Sequence, residues 1–190
     1  MNRTLRRITE TAIMLAIATV LSLVQFTGPW ALGGSITLCS MLPIILIAHR
    51  YATKWGLLTA FAYSILQLLL GLRNVQYAPD AITAIGIILL DYVLAFTVLG
   101  FSAVFDKWFR NKRTSILVGI LVTMTGRYIC HLLSGVLIWE ALWPNALGWA
   151  TWVWSIAYNG SYMLPEMIIT CTVAYLLYKP LEKFWMRAIA

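Results

Sequence analysis

The stretch "IGIILLDYVLAF", residues 85–96, sets one carboxylate, Asp91, in the middle of apolar and aromatic neighbours. In water such a helix would need apolar partners on every side, whereas in a bilayer it is an ordinary span whose acid is the anomaly. An unpaired charge at that depth is costly, so Asp91 must face water, find a partner or carry a proton.

The rest of the chain decides between those settings. It is 61% hydrophobic and only 11% charged, with a mean hydropathy of +0.82. A soluble domain of 190 residues could not hide that much apolar surface. Apolar runs of roughly 15 to 25 residues, broken by short polar pieces, fit helices that cross a hydrocarbon layer about 30 Å thick. The sequence predicts an all-α integral membrane protein of six transmembrane helices, at approximately 8–26, 36–48, 56–71, 82–104, 115–139 and 151–178. The second is short. No interspan segment has room for a soluble domain, so residues 1–190 read as a single membrane domain. "FDKWFRNKR" (105–113) divides it into halves with no internal repeat between them. The first apolar run is too long for a signal-peptide core and no small-residue cleavage site follows, so it is expected to stay in the mature protein.

Orientation follows from the basic residues, which gather on the cytoplasmic side of short loops. With the N-terminus inside, the inner segments hold Arg3, Arg6, Arg7, Arg50, Lys54, Lys107, Arg110, Lys112, Arg113, Lys179, Lys183 and Arg187, twelve of the 14 Lys and Arg residues. Arg73 falls outside and Arg127 within a span. Both termini are therefore expected in the cytoplasm. The net charge of +7 is accounted for by this asymmetry and by anionic lipid headgroups, and gives no reason to expect nucleic acid as a partner. Cys39, Cys130 and Cys171 lie in separate spans without CxxC or Cys/His spacing; they read as small apolar filler, implying no disulfide, metal or cofactor.

The outer loops "TGPWALGGS" (27–35), "LRNVQYAPD" (72–80) and "EALWPNALGWA" (140–150) combine turn formers with aromatic anchors. Trp139, Trp143, Trp149, Trp152 and Trp154 are five of the nine tryptophans and crowd one outer junction. That density exceeds a simple interfacial belt and suits the wall of a site for a flat aromatic ligand.

Depth ties the polar residues together. Asp91 lies about 13 Å below the outer end of its span, and His131 and Asn159 about 12 Å below the ends of theirs, at 1.5 Å per residue. Three helices thus bring an acid, an imidazole and an amide to one level. Each alone could be interhelical glue, but together they predict a water-filled chamber open to the outside, with Tyr92, Trp139, Tyr158 and Tyr162 as its walls. Arg127 and Glu166 lie deeper, near 18 and 22 Å. They are expected to pair as a structural brace, since neither charge is tolerable alone.

No phosphate-binding loop, HExxH, nucleophile elbow or metal-spaced cluster occurs. The chain therefore reads as a non-enzyme. A stand-alone proton-coupled carrier working through Asp91 and His131 is an alternative, weakened by the absence of repeated halves.

Against that background the segments "TAIMLAIATVLSL" (11–23), "GGSITLCSMLPIILIAHRY" (33–51), "YSILQLLLG" (63–71), "LLDYVLAF" (89–96), "RYICHLLSGVLIW" (127–139) and "WSIAYNGSYMLPE" (154–166) resemble the thiamin-specific S components of energy-coupling factor (ECF) transporters. "HLLSGVLIW" and "YNGSY" are the most specific pieces. The resemblance implies a six-helix subunit of a bacterial plasma membrane that captures its vitamin near the outer face. It also implies a coupling transmembrane subunit and two cytoplasmic ATPase subunits as partners, the energy source sitting on those other chains. It places substrate contacts at Asp91, Tyr92, His131, Trp139 and Asn159, with Trp30 and Tyr77 as aromatics of the first and second outer loops. Asp91 stands where the family has a longer Glu, Tyr63 where it has Trp, and Trp154 where it has Tyr. The shorter acid withdraws its carboxylate by about 1 Å, enough to alter a hydrogen bond, so an S component for another vitamin or nucleobase-like compound is the second alternative. Ala12 and Ala16 match the family's small-residue stripe for the coupling subunit; the plain reading of such a stripe is packing inside the bundle.

Overall fold

Short polar side chains open the helices of the computed structural model, which describes residues 2–28, 30 and 33–185. Asn2 Oδ1 accepts from Thr4 N at 3.1 Å and starts α1 (Arg3–Leu23). Asp80 Oδ1 accepts from Thr83 N at 2.8 Å and starts α4, which runs over Ala81–Lys107. Asn111 Oδ1 does the same for Arg113 N at 3.0 Å before α5, Lys112–Leu142. Each supplies an acceptor to a first-turn N–H that has none within the helix. Pro43 serves the first turn of α2 (Leu42–Leu70), where a missing N–H costs nothing. A short α3 (Leu72–Val75), α6 (Thr151–Leu177) and a final turn α7 (Glu182–Trp185) complete the helices. Between α1 and α2, β1 (Gln25–Phe26) pairs antiparallel with β2 (Ile36–Thr37), Gln25 opposite Thr37.

α4, α5 and α6 are each long and apolar enough to cross a membrane. Their exposed side chains, Ile82, Leu94, Leu137, Ile168 and Leu176 among them, form the outward surface. Two expected spans differ from the structure. The first ends at Leu23 instead of 26, because Gln25 and Phe26 are taken up by the strand pair. The second begins at Leu42 instead of 36, since Ile36–Thr37 belong to β2 and Cys39 turns the chain with a φ of 55°. The expected second and third spans also run together as α2, broken only at Ala52, where φ 69° and ψ 166° leave helical geometry.

Residues 41–50 are buried without exception, so the first half of α2 is the innermost helix, as its apolar run from Met41 to Ala48 demands. It and the second half cradle α4. A Cβ on Gly100 would stand 2.5 Å from Leu57 Cα and 2.7 Å from the Gly56 carbonyl carbon, so only glycine lets these backbones cross so closely.

At the end of α2's first half, polar residues tie the bundle together. Glu10 accepts from Arg50 Nε at 2.5 Å, Arg50 Nη2 at 3.1 Å, Tyr51 Oη at 2.5 Å and Arg6 Nε at 2.8 Å. Arg50 Nη1 also donates to the carbonyls of Lys183 and Phe184 at 3.2 and 3.0 Å. Asp106 accepts from Lys112 Nζ at 2.5 Å and Ser115 Oγ at 2.7 Å, and lies 2.9 Å from His49 Nδ1. The basic residues read as an inner surface thus include a buried member, Arg50, at 4% exposure. Arg187 lies outside the described residues.

Candidate functional site

At the opposite end α4 and α5 depart from α-helical winding. α4 widens into a π-helical turn over Ile88–Leu94, which carries Asp91 and Tyr92, and α5 over Gly135–Trp139, which carries Trp139. Such turns change the direction in which the following side chains leave the helix, and they cluster at functional sites. Here they aim two helices at one carboxylate. Asp91 Oδ2 accepts from Ser134 Oγ and Trp139 Nε1, both at 2.8 Å, while Oδ1 lies 3.1 Å from His131 Nδ1. Three partners from α5 replace the water that Asp91 gives up.

The network continues into α6. Asn159 Nδ2 donates to the Ser155 carbonyl at 3.0 Å, to Ser155 Oγ at 3.2 Å and to the His131 carbonyl at 3.4 Å. Its Oδ1 accepts from Tyr162 Oη at 2.6 Å. The acid, the imidazole and the amide expected at one level are therefore one connected floor.

Above that floor is a cavity of about 500 Å³, room for a ligand of two rings. Trp30, Asp91, Tyr92, His131, Trp139, Trp154 and Asn159, all singled out in the sequence, line it. Trp139 stacks on Trp143 with centroids 5.9 Å apart and 23° between planes. Because its N–H is held by Asp91, the Trp139 indole is fixed in position as well as exposed to the cavity.

The first loop closes one side. Trp30 Nε1 donates to Ser161 Oγ at 2.6 Å, and Tyr158 Oη donates to the Gly33 carbonyl at 2.7 Å. Gly34 has φ 104°, and a Cβ there would stand 2.7 Å from the Tyr162 ring. A glycine is thus required both by its backbone and by its contact.

The three tyrosines among the expected contacts stand in different surroundings. Tyr63 does not line the cavity; it is 0% exposed, its hydroxyl is 3.4 Å from the Ala18 carbonyl, and its ring meets Phe96 edge-on at 5.5 Å. A tyrosine in the middle of α2 is too far inside the bundle to reach. Tyr77 stands one layer out, edge-on to the cavity-lining Trp143 at 4.8 Å. Tyr92 presents its ring, but its hydroxyl is taken: it donates to the Gly71 carbonyl and accepts from Asn74 Nδ2, both at 3.0 Å.

Beneath the floor, Arg127 Nη1 lies 3.6 Å from Glu166 Oε2 and 2.8 Å from Met41 Sδ, and the guanidinium sits 4.4 Å from the Phe96 ring centroid. Glu166 Oε1 accepts from Thr37 Oγ1, and from Thr37 N at 3.4 Å, so the pair also anchors β2. Arg127 itself reaches the cavity wall. Ala12 and Ala16 are exposed on α1, and Ala18 alone of the three is buried.

Residues 8–185 match the family of the thiamine transporter protein (Thia_YuaJ). The chain belongs to that family. It is 31% identical to the thiamine transporter ThiT of Bacillus subtilis strain 168 over 189 residues, 93% of this chain and 92% of the relative. To ThiT of Lacticaseibacillus paracasei it is 29% identical, over 87% and 83%. A solved structure of ThiT from Listeria monocytogenes superimposes with a TM-score of 0.77 at 25% identity, covering 97% of this chain and all of that one. The S component of a bacterial ECF transporter shares the fold, with a TM-score of 0.66 at 17% identity, over 97% and 100%. Membership of this family of thiamine transporter proteins, together with the apolar helices, makes the chain a membrane protein.

Among the lining or floor groups that sequence reading passed over are Ser134, Glu140 and Ser155. Ser134 is small and looks like ordinary helix packing, yet it follows His131 by one turn and shares its face. Glu140 looks like the first residue of a loop; only the π turn before it brings it to the cavity.

Proposed function

We propose that this chain is the thiamin-binding S component of an ECF-type importer. It captures the vitamin in the cavity and hands it inward with a coupling transmembrane subunit and two cytoplasmic ATPase subunits. The observation that carries this reading is the Asp91 carboxylate, held by His131, Ser134 and Trp139 at the base of an aromatic-walled cavity. Thiamin combines an aminopyrimidine with a cationic thiazolium. Such a molecule matches flat indole surfaces and a negative charge within one enclosure. Trp139 would stack on a ring, while Trp30 and Trp154 bound the sides. The names of the ThiT relatives point to the same ligand.

Two features support the membrane arrangement and the coupling role. In this reading six segments cross the membrane, α4, α5 and α6 together with α1 and the two parts of α2 on either side of Ala52. The basic residues gather at the end away from the cavity, which supports a cavity facing outward and both termini in the cytoplasm of a bacterial cell. Ala12 and Ala16 are exposed and small, a surface on which another helix can approach closely.

Titration of the purified protein with thiamin, followed by quenching of tryptophan fluorescence, tests the reading. Saturable quenching at sub-micromolar thiamin, with none from pyridoxine or riboflavin, is expected. A flat response to micromolar thiamin removes thiamin as the ligand.

A further inference from the structure

Glu140 follows Trp139 directly and lines the cavity. One of its oxygens has a plain structural role, since Oε1 accepts from Asn145 N at 3.1 Å and Asn145 Nδ2 at 2.7 Å. Asn145 in turn bonds both ways to the Trp149 backbone, at 2.9 and 2.8 Å, and so closes the turn leading to α6. A glutamine or another neutral acceptor would fill that role equally well.

The other oxygen has none. Oε2 is shut away from water and has no hydrogen-bond donor. Among the described residues no cation pairs with Glu140, whereas Arg127 faces Glu166 and His131 faces Asp91. The remaining lining cation, Arg73, is exposed, where solvent and salt screen its field. A carboxylate oxygen deprived of both water and donors is poorly compensated. A positive charge arriving in the adjoining cavity would compensate it, because the protein between them screens far less than water does.

We propose that Glu140 is a second anionic, specificity-determining residue of this chamber, selecting the positive charge of an aromatic cation stacked on Trp139. The inference rests on the thiamin reading above. Asp91, Trp139 and Glu140 line the same cavity: Asp91 holds the indole N–H at 2.8 Å, and Glu140 is the next residue along the chain. A cationic ring in that cavity would be shared between the two carboxylates. This division of labour suits an Asp91 whose oxygens are already engaged by three partners from α5.

The test compares wild type with Glu140→Gln, which keeps an oxygen for Asn145 and removes only the charge. Dissociation constants are measured for thiamin and for its uncharged isostere with thiophene in place of thiazolium, alongside the thermal midpoint without ligand. Glu140→Gln is expected to weaken thiamin about tenfold and the neutral isostere less than about twofold, the scale of one partly screened charge, with the midpoint unchanged. Glu140→Asp keeps the charge, so its preference for thiamin over the isostere is expected to persist even if packing costs it overall affinity. Equal loss for the two ligands in Glu140→Gln, or no loss for thiamin, overturns the assignment. Wild-type protein that binds neither ligand removes the thiamin reading and this inference with it; wild type that binds thiamin as expected leaves only the role of Glu140 at stake.

Discussion

Asp91→Asn removes one charge while leaving most of the cavity floor in place. The asparagine oxygen can keep the bonds from Ser134 Oγ and Trp139 Nε1, both 2.8 Å long in the wild type. Its amide nitrogen then faces His131 Nδ1, which accepts once the ring proton moves to Nε2, an atom that has no other partner. Packing is nearly isosteric, so the ligand-free thermal midpoint should stay within a few degrees. Affinity should not. A cationic ring centred about 5 Å from the carboxylate gains roughly 3 kcal/mol at an effective dielectric of about 20. Losing it weakens binding by about a hundredfold. Ser134→Ala provides the contrast: it deletes one donor and keeps the charge, for about 1 kcal/mol or roughly fivefold. Equilibrium fluorescence titration of both variants against thiamin ranks the two effects. An Asp91→Asn protein that folds and binds thiamin within about fivefold of wild type would refute the claim that this carboxylate recognises a cation.

The remaining predictions concern the frame that holds the site. Ala52→Gly should raise stability by about 1 kcal/mol in a denaturant or thermal titration, because φ 69° with ψ 166° is a region that only glycine enters without strain. Gly100→Val should lower stability by about 3 kcal/mol or prevent folding, since its first side-chain carbon would overlap Leu57 Cα; normal expression and melting would contradict the crossing. Large residues at Ala12 and Ala16 should abolish uptake in cells that carry the coupling and ATPase subunits, yet leave thiamin affinity within about twofold, since both positions are exposed. Glu166→Gln should cost about 2 kcal/mol of stability and less than about threefold in affinity. The reverse order would make the Arg127–Glu166 pair a binding element instead of a brace.

Asp91, His131 and Asn159 were legible because depth in a membrane helix depends only on counting residues from the span end, and a rise of 1.5 Å per residue tolerates an error of one or two positions. Facing does not tolerate that error. A helical wheel assumes about 100° per residue, and the π turns at Ile88–Leu94 and Gly135–Trp139 break that assumption where the site is built. Glu140 follows one of these turns, whereas Ser134, in regular helix one turn after His131, was passed over because a small hydroxyl reads as packing. Tyr63 was assigned by position within a resemblance, yet whether a side chain in α2 reaches the cavity depends on how deeply that helix is buried, which the pattern of apolar residues does not disclose. The continuity of α2 across Ala52 was hidden too. A polar "HRYATK" between apolar runs reads as a loop, whereas Glu10, Asp106 and two carbonyls near the C-terminus bind its His49, Arg50 and Tyr51 and let the helix continue.

The same physics explains why irregular winding and buried charge occur together at this site. A regular α4 and α5 would present Asp91 and Trp139 according to their α-helical phase, and a carboxylate without donors could not persist at that depth. The π turn of α4 carries Asp91 and that of α5 carries Trp139 onto a face where His131 and Ser134 already stand, so the local cost of the turns is offset by charge-assisted hydrogen bonds. The arrangement also fixes Trp139 before any ligand arrives, so little rotamer freedom remains to be lost on binding. Straightening α5 by deleting one residue within Gly135–Trp139 should therefore separate the indole from Asp91. Binding should fall more than the loss of Ser134 alone predicts, because the carboxylate and the stacking surface are lost together.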